Sequence, residues 1–244
     1  MDNNSNNYYD PNVIQLDDSQ ANVRRHMASV FLWMFVALGI SAFCAYAFAT
    51  TPALLKVLVN TETGGLSGLG YVALFGPLAF VMIMSFGINR ISYPVLALLF
   101  IAYSALMGVS LSFILLAYTS ASVLSMFVTA SALFGVMAIA GYTTHQDLTK
   151  FGSLMIVGLV GVLIATVVNM FMHNQGLDMV ISYVGVAVFI GLTAYDVQKQ
   201  KRIGQGIEFG SASGKKLALM GALNLYLDFV NMFLFLLRIF GRRR

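Results

Sequence analysis

Residues 217–240 read LALMGALNLYLDFVNMFLFLLRIF, an apolar run that carries Asn224, Asp228, Asn231 and Arg238 within it. A helix that crosses a bilayer needs roughly 20 predominantly apolar residues, and this run is long enough. At about 1.5 Å of rise per residue, Asp228 falls near mid-membrane. A charge there costs roughly 2.5–3.5 kcal/mol on insertion scales, which makes an intramembrane carboxylate a functional candidate by default.

The rest of the chain has the same character. Of 244 residues, 59% are hydrophobic and 10% are charged. Typical soluble domains are about 25% charged, and so little charge cannot cover a water-facing surface. Six further candidate spans precede the last one: Met27–Thr50, Gly70–Ile88, Tyr93–Ala117, Ala121–Tyr142, Gly152–Met172 and Leu177–Asp196. The expected architecture is an all-α integral membrane protein, a seven-helix bundle over residues 27–241. Residues 242–244 form a basic tail. Residues 1–26, acidic and Asn-rich at their start, read as a disordered tail without the basic and small-residue features of a secretory signal. Ser131 with Gly135, and Gly161 with Ala165, are spaced to bring neighbouring helices close.

Lys and Arg set the expected orientation. With the N-terminus in the cytoplasm, Arg24, Arg25, Arg90, Lys150, Lys199, Lys201, Arg202, Lys215 and Lys216 all lie inside, and the outer loops between spans hold only Lys56. The terminal Arg242–Arg244 opposes this if the last segment crosses fully, and obeys it if that segment is re-entrant. The upstream bias favours a full crossing.

Two carboxylates stand out. Asp228 lies within the last span, and Asp196 closes the sixth. If they meet in a low dielectric they share a proton, and deprotonated they offer hard oxygen ligands suited to Ca²⁺ in passage. That would couple proton concentration to cation movement. A plainer account also fits: Asp228 as a protonated tie between helices, with Asn224 and Asn231 as polar neighbours, and Asp196 as an interfacial charge beside Lys199. The expected depths differ, so pairing needs a longer sixth helix, a tilt or a water-filled crevice. Asn169 is read as an interhelical hydrogen bond or part of a polar lining. Arg90 reads as a membrane-flank anchor or as a latch on Asp196. Cys44 reads as packing, and His145 and His173 have no ligand spacing for a transition metal.

Three strings carry a family resemblance: Gly141-Tyr142-Thr143-Thr144 with Asp147-Leu148 and Phe151-Gly152; Phe189 to Gln198, containing Tyr195-Asp196-Val197-Gln198; and Leu225-Tyr226-Leu227-Asp228-Phe229-Val230-Asn231, closing on Leu237-Arg238-Ile239-Phe240-Gly241. In combination, over roughly Arg24 to Gly241, they resemble the bacterial branch of the Bax inhibitor-1 family. The resemblance implies six helices around a central seventh and residence in the bacterial inner membrane. It also implies a pH-sensitive Ca²⁺ leak, with Asp196 and Asp228 as sensor and cation site and Arg90 as latch. Some members carry an acidic residue in the second span; Gly70–Ile88 has none.

The alternative function is an interaction protein that modulates a membrane protease or another membrane complex, with Asp2–Ala21 as the contact. An intramembrane aspartyl protease is disfavoured because no Gly-x-Gly-Asp occurs, and Pro52-Ala53-Leu54 precedes both aspartates instead of following them. Metalloprotease and serine-hydrolase motifs are absent, so no enzyme and no cofactor is expected, Ca²⁺ entering only as a permeant ion. Net charge is +4 and the basic residues flank spans, which argues against nucleic-acid binding.

Overall fold

The computed structural model describes residues 11–60, 65–207 and 210–244. It contains eight helices: α1 (Pro11–Thr50), α2 (Pro52–Leu58), α3 (Gly68–Gly87), α4 (Tyr93–Ala117), α5 (Ser120–Thr143), α6 (Thr149–Met172), α7 (Gln175–Gly206) and α8 (Ala212–Phe240). All but the short α2 are long and apolar enough to cross a membrane, giving seven spans. No strand occurs among the described residues.

The turns use local chemistry to begin each helix. The hydroxyls of Ser67, Thr119 and Ser211 and the amide oxygen of Asn174 accept hydrogen bonds from backbone N–H groups three residues on. These caps satisfy donors that a helix start leaves open. Pro52 and Pro94 occupy first-turn positions of α2 and α4, where a missing N–H costs nothing.

The spans alternate in direction. The Nζ of Lys201 donates to the carbonyl of Tyr142, and the Nζ of Lys216 to that of Ile88. These contacts gather the start of α8 and the ends of α3, α5 and α7 at one basic end of the bundle. At the far end the residues after α8 meet the α4–α5 turn: the N–H of Thr119 donates to Arg242, and that of Arg244 to Ala117. The last helix therefore runs from one end of the bundle to the other and is not re-entrant. Its basic tail is held at the far end, with Arg243 over the ring of Tyr118.

Helix α8 is the centre. It packs against α1, α4, α5 and α7, and 72% of its most apolar window is buried, against 11% for α6. Four spans thus surround it directly. The other two are attached outside, α3 on α4 and α6 on α7.

Two expected boundaries move. Residues 11–26 belong to α1, although a disordered tail is expected there; residues 1–10 of that tail lie outside the described residues. The physical reason is a partner surface. Helix α7 continues ten residues past Asp196, to Gly206. Val23, His26 and Met27 are buried, and Gly204 lets the α1 backbone come close at Val23. The expected small-residue contacts also move. An added Cβ at Gly135 or Gly161 would meet nothing, whereas at Gly108 it would strike Ser41 of α1, and at Gly141 the Ala194 backbone of α7. The tight crossings are therefore α1–α4 and α5–α7.

Candidate functional site

Helix α8 has two kinds of surface. Asn224, Leu227, Asp228, Asn231, Phe235 and Arg238 recur at three- and four-residue steps, so they share one face. That face, with α6 and α7, lines an open cleft of about 520 Å³. From α6 come apolar residues and Thr166; from α7 come Phe189, Leu192, Tyr195, Asp196 and Lys199. The cleft exists because α6 packs on α7 and not closely on α8.

The structure brings Asp196 and Asp228 together across the α7–α8 contact, with their carboxyl groups in direct interaction. Asp228 is the more enclosed, only 4% exposed, while Asp196 is half-buried. Oδ2 of Asp228 is buried without a hydrogen-bond partner of ordinary geometry. Burying a carboxyl oxygen unsatisfied is costly, so the packing around the pair has to hold that oxygen in place. The difference in depth expected for the two residues is resolved by the longer α7. Asp196 is followed by ten more helical residues, about 15 Å of helix, and is not an end residue.

What holds the pair in place is the family strings themselves. Gly141 faces the backbone of Ala194, and Gly152 faces the ring of Tyr195, so α5 and α6 close on the two residues before Asp196. Two residues after it, Gln198 ties down the α5–α6 turn. Its Oε1 accepts from the N–H of Leu148 at 2.9 Å, and its Nε2 donates to the carbonyl of Gln146 at 2.7 Å. Arg202, one turn on, donates to Asp147 at 2.7 Å, to Thr149 at 2.9 Å and to Gln198 at 3.0 Å. Asp147 also accepts from the hydroxyl and the N–H of Thr149. These Thr149 bonds, and then Arg202, hold the Asp147 carboxyl well below the usual carboxylate range.

On the opposite side of α8, the hydroxyls of Tyr226 and Ser41 lie 2.7 Å apart, and Ser41 donates onward to the carbonyl of Ser104. The ring of Tyr226 meets that of Tyr103 edge-on at 5.4 Å. This locks α8 against α1 and α4, so the Asp228 face is presented to the cleft in a fixed rotation.

Among the other expected site residues, Asn224 and Asn231 line the cleft. The Asn231 amide donates to the carbonyl of Leu227 within its own helix. Asn169 is not part of the lining; its side-chain oxygen accepts from the N–H of Asn174 and shapes the α6–α7 turn. Arg90 sits exposed at the turn after α3, forms no ion pair with Asp196, and belongs to a helix attached to α4 and away from α7. The cation that faces Asp196 is Lys199, one turn along the same helix.

One pair was not anticipated. Arg238 donates to Asp178 at 3.2 Å, joining the last turn of α8 to the first turn of α7 at the far end of the cleft. The signal was present in the register: Arg238 lies seven residues beyond Asn231, on the same face.

The chain matches known proteins over nearly its whole length. Residues 23–244 match the family described as inhibitor of apoptosis-promoting Bax1. The chain is 42% identical over 226 residues to the inner membrane protein YbhL of Escherichia coli K12, covering 92% of this chain and 94% of that one. The chain belongs to the Bax inhibitor-1 family. A protein of Borreliella burgdorferi is 39% identical over 220 residues, covering 90% of this chain and 93% of its own. One of Rickettsia prowazekii is 36% identical over 222 residues, covering 91% of each. As a Bax inhibitor-1 family member with seven spans, the chain is a multi-pass protein of the inner membrane.

Proposed function

We propose that this Bax inhibitor-1 family protein is a pH-sensitive cation leak, with Ca²⁺ as the favoured ion and the Asp196–Asp228 pair as proton sensor. The observation that carries the reading is a pair of carboxyls meeting inside an open cleft that continues from Lys199 at the basic end to Arg238 at the far end. Two carboxylates so close cannot both ionise cheaply in a low dielectric, so one proton is shared between them. Losing that proton adds a negative charge to the cleft and creates a site of carboxylate oxygens flanked by the amide oxygens of Asn224 and Asn231. Ca²⁺ takes 6–8 oxygen ligands, so two carboxylates and two amides leave water to complete its shell, which suits an ion in passage.

The reading makes the protein a conduit and not a catalyst. It also takes the N-terminus to be cytoplasmic, as the basic end requires. Arg90 has no place in the sensor as it stands, and Lys199 takes the position of neighbouring cation.

The test is Ca²⁺ flux in liposomes bearing the purified full chain, followed across about pH 6 to 8, beside Asp196→Asn and Asp228→Asn. The expected outcome is a pH-dependent flux that both substitutions flatten. Flux that keeps its pH dependence in both variants would remove the pair as sensor. No flux above empty liposomes would remove the leak itself and leave capture of a membrane partner as the reading to pursue.

A further inference from the structure

Helices α1 and α5 both pack on α7 and α8, and they leave a second groove between them, remote from the carboxylate cleft. Its volume is about 630 Å³. The walls are Phe31 and Leu38 of α1 with Phe127 and Phe134 of α5, and the floor is Phe229 of α8. No charged side chain lines it. Toward the basic end it runs into a further space of about 310 Å³ that shares Phe31, Ala138 and Ile139 and adds Arg24 and Tyr142. Lys201 of α7 lies beside this space and not in its lining, with its Nζ 5.0 Å from the Tyr142 ring centroid. The groove is thus apolar along its length and doubly cationic at one mouth.

We propose that this groove binds one anionic phospholipid from the leaflet at the basic end, with an acyl chain against Phe229 and the headgroup phosphate between Arg24 and Lys201. An apolar slot open to the bilayer does not stay empty, because its lining would forfeit dispersion contacts, and nothing in it would hold water. The mouth supplies the selectivity. Arg24 gives one Nη2 donor to Gln20 at 3.5 Å and keeps the rest of a planar fork that matches phosphate oxygens. Lys201 spends one donor on the Tyr142 carbonyl and keeps two. A zwitterionic headgroup brings its own ammonium and gains less from two cations than phosphatidylglycerol does. The proposal stands apart from the leak reading, since it uses none of the cleft residues.

The test is native mass spectrometry of the purified full chain with equal amounts of phosphatidylglycerol and phosphatidylcholine carrying the same acyl chains. Phosphatidylglycerol is expected to be retained in preference by on the order of tenfold, as two interfacial cations allow. Arg24→Gln and Lys201→Gln should each reduce that preference roughly threefold, and the double variant should abolish it. Gly135→Phe serves as the second arm. Gly135 lines the groove and a Cβ there meets nothing within 4 Å, so the ring enters the groove without disturbing the fold. It should lower retention of both lipids while thermal unfolding is unchanged. Equal retention of the two lipids by the wild-type chain, a preference that survives in the double variant, or full retention in Gly135→Phe would overturn the proposal.

Discussion

On one face of α8, Leu219, Leu223, Tyr226 and Val230 are closed off by neighbouring helices; on the other, Asn224, Asp228, Asn231 and Arg238 look into a cleft. The two faces share a backbone and differ in what they ask of it. The closed face fixes the height and rotation of the helix through a tyrosine–serine bond and edge-on rings. The open face keeps polar groups that make few bonds to the rest of the protein. Asp228 leaves an oxygen unpartnered, and Asn231 bonds only within its own helix. A polar group left short of partners in a dry interior is a liability to stability. The closed face therefore carries the stability, and the open face keeps its polar groups available to protons and ions.

The sharpest way to break this comparison is Tyr226→Ala. It removes a fully buried ring together with the hydroxyl that bonds Ser41, and the expected cost is about 3 kcal/mol, measured by unfolding in detergent or bicelles. A loss below about 1 kcal/mol would mean that the closed face does not hold the helix. Next in size is Gln198→Ala, which leaves the N–H of Leu148 and the carbonyl of Gln146 without their partner. That should cost about 1–3 kcal/mol. Because Gln198 sits two residues from Asp196, this variant should also blunt the pH response of flux. A destabilised protein with an unaltered response would uncouple the clamp from the site.

Substitutions on the open face should be mild. Asn231→Ala is expected to change stability by less than about 0.5 kcal/mol while altering flux, since its amide bonds only to its own helix. Arg238→Gln breaks a pair whose side chains are 33% and 35% exposed, and should cost about 1 kcal/mol or less. If either variant unfolds the protein, the open face is structural after all.

Much of this was legible in the sequence, for identifiable reasons. The spans are readable because apolar length is the one thing a bilayer demands, and Asp228 stands out because a carboxylate in such a run is expensive. Its meeting with Asp196 was not readable from spacing. The hydropathy of the sixth span fades at Asp196, whereas the helix continues to Gly206 on the strength of contacts with α1 and the α5–α6 turn. Those contacts are tertiary and leave no periodic trace. The same cause hid the helix before Met27, where buried His26 bonds Gln200 of α7. The small-residue pairs misled for the converse reason. A four-residue step permits a close crossing, but only packing decides which pair is used, and here Gly108 and Gly141 are used while Gly135 borders an open groove.

The smallest expected effect separates the two acidic groups at the basic end of the molecule. Asp147 and Asp196 lie near the same turn, and either could be suspected of sensing pH. Asp147 accepts from Thr149 twice and from Arg202, and these bonds hold its carboxyl well below the usual range. A carboxylate depressed in the folded state contributes stability that is present above its unfolded value and lost as pH falls through the folded one. That loss falls well below pH 4, so Asp147 stays charged throughout the range in which flux is followed. Asp147→Asn should therefore lower stability only slightly at neutral pH, as fits an exposed pair. It should leave the pH midpoint of flux where it was. A midpoint that moves with Asp147→Asn, and stays fixed with Asp196→Asn, would transfer the sensor from the cleft to the turn.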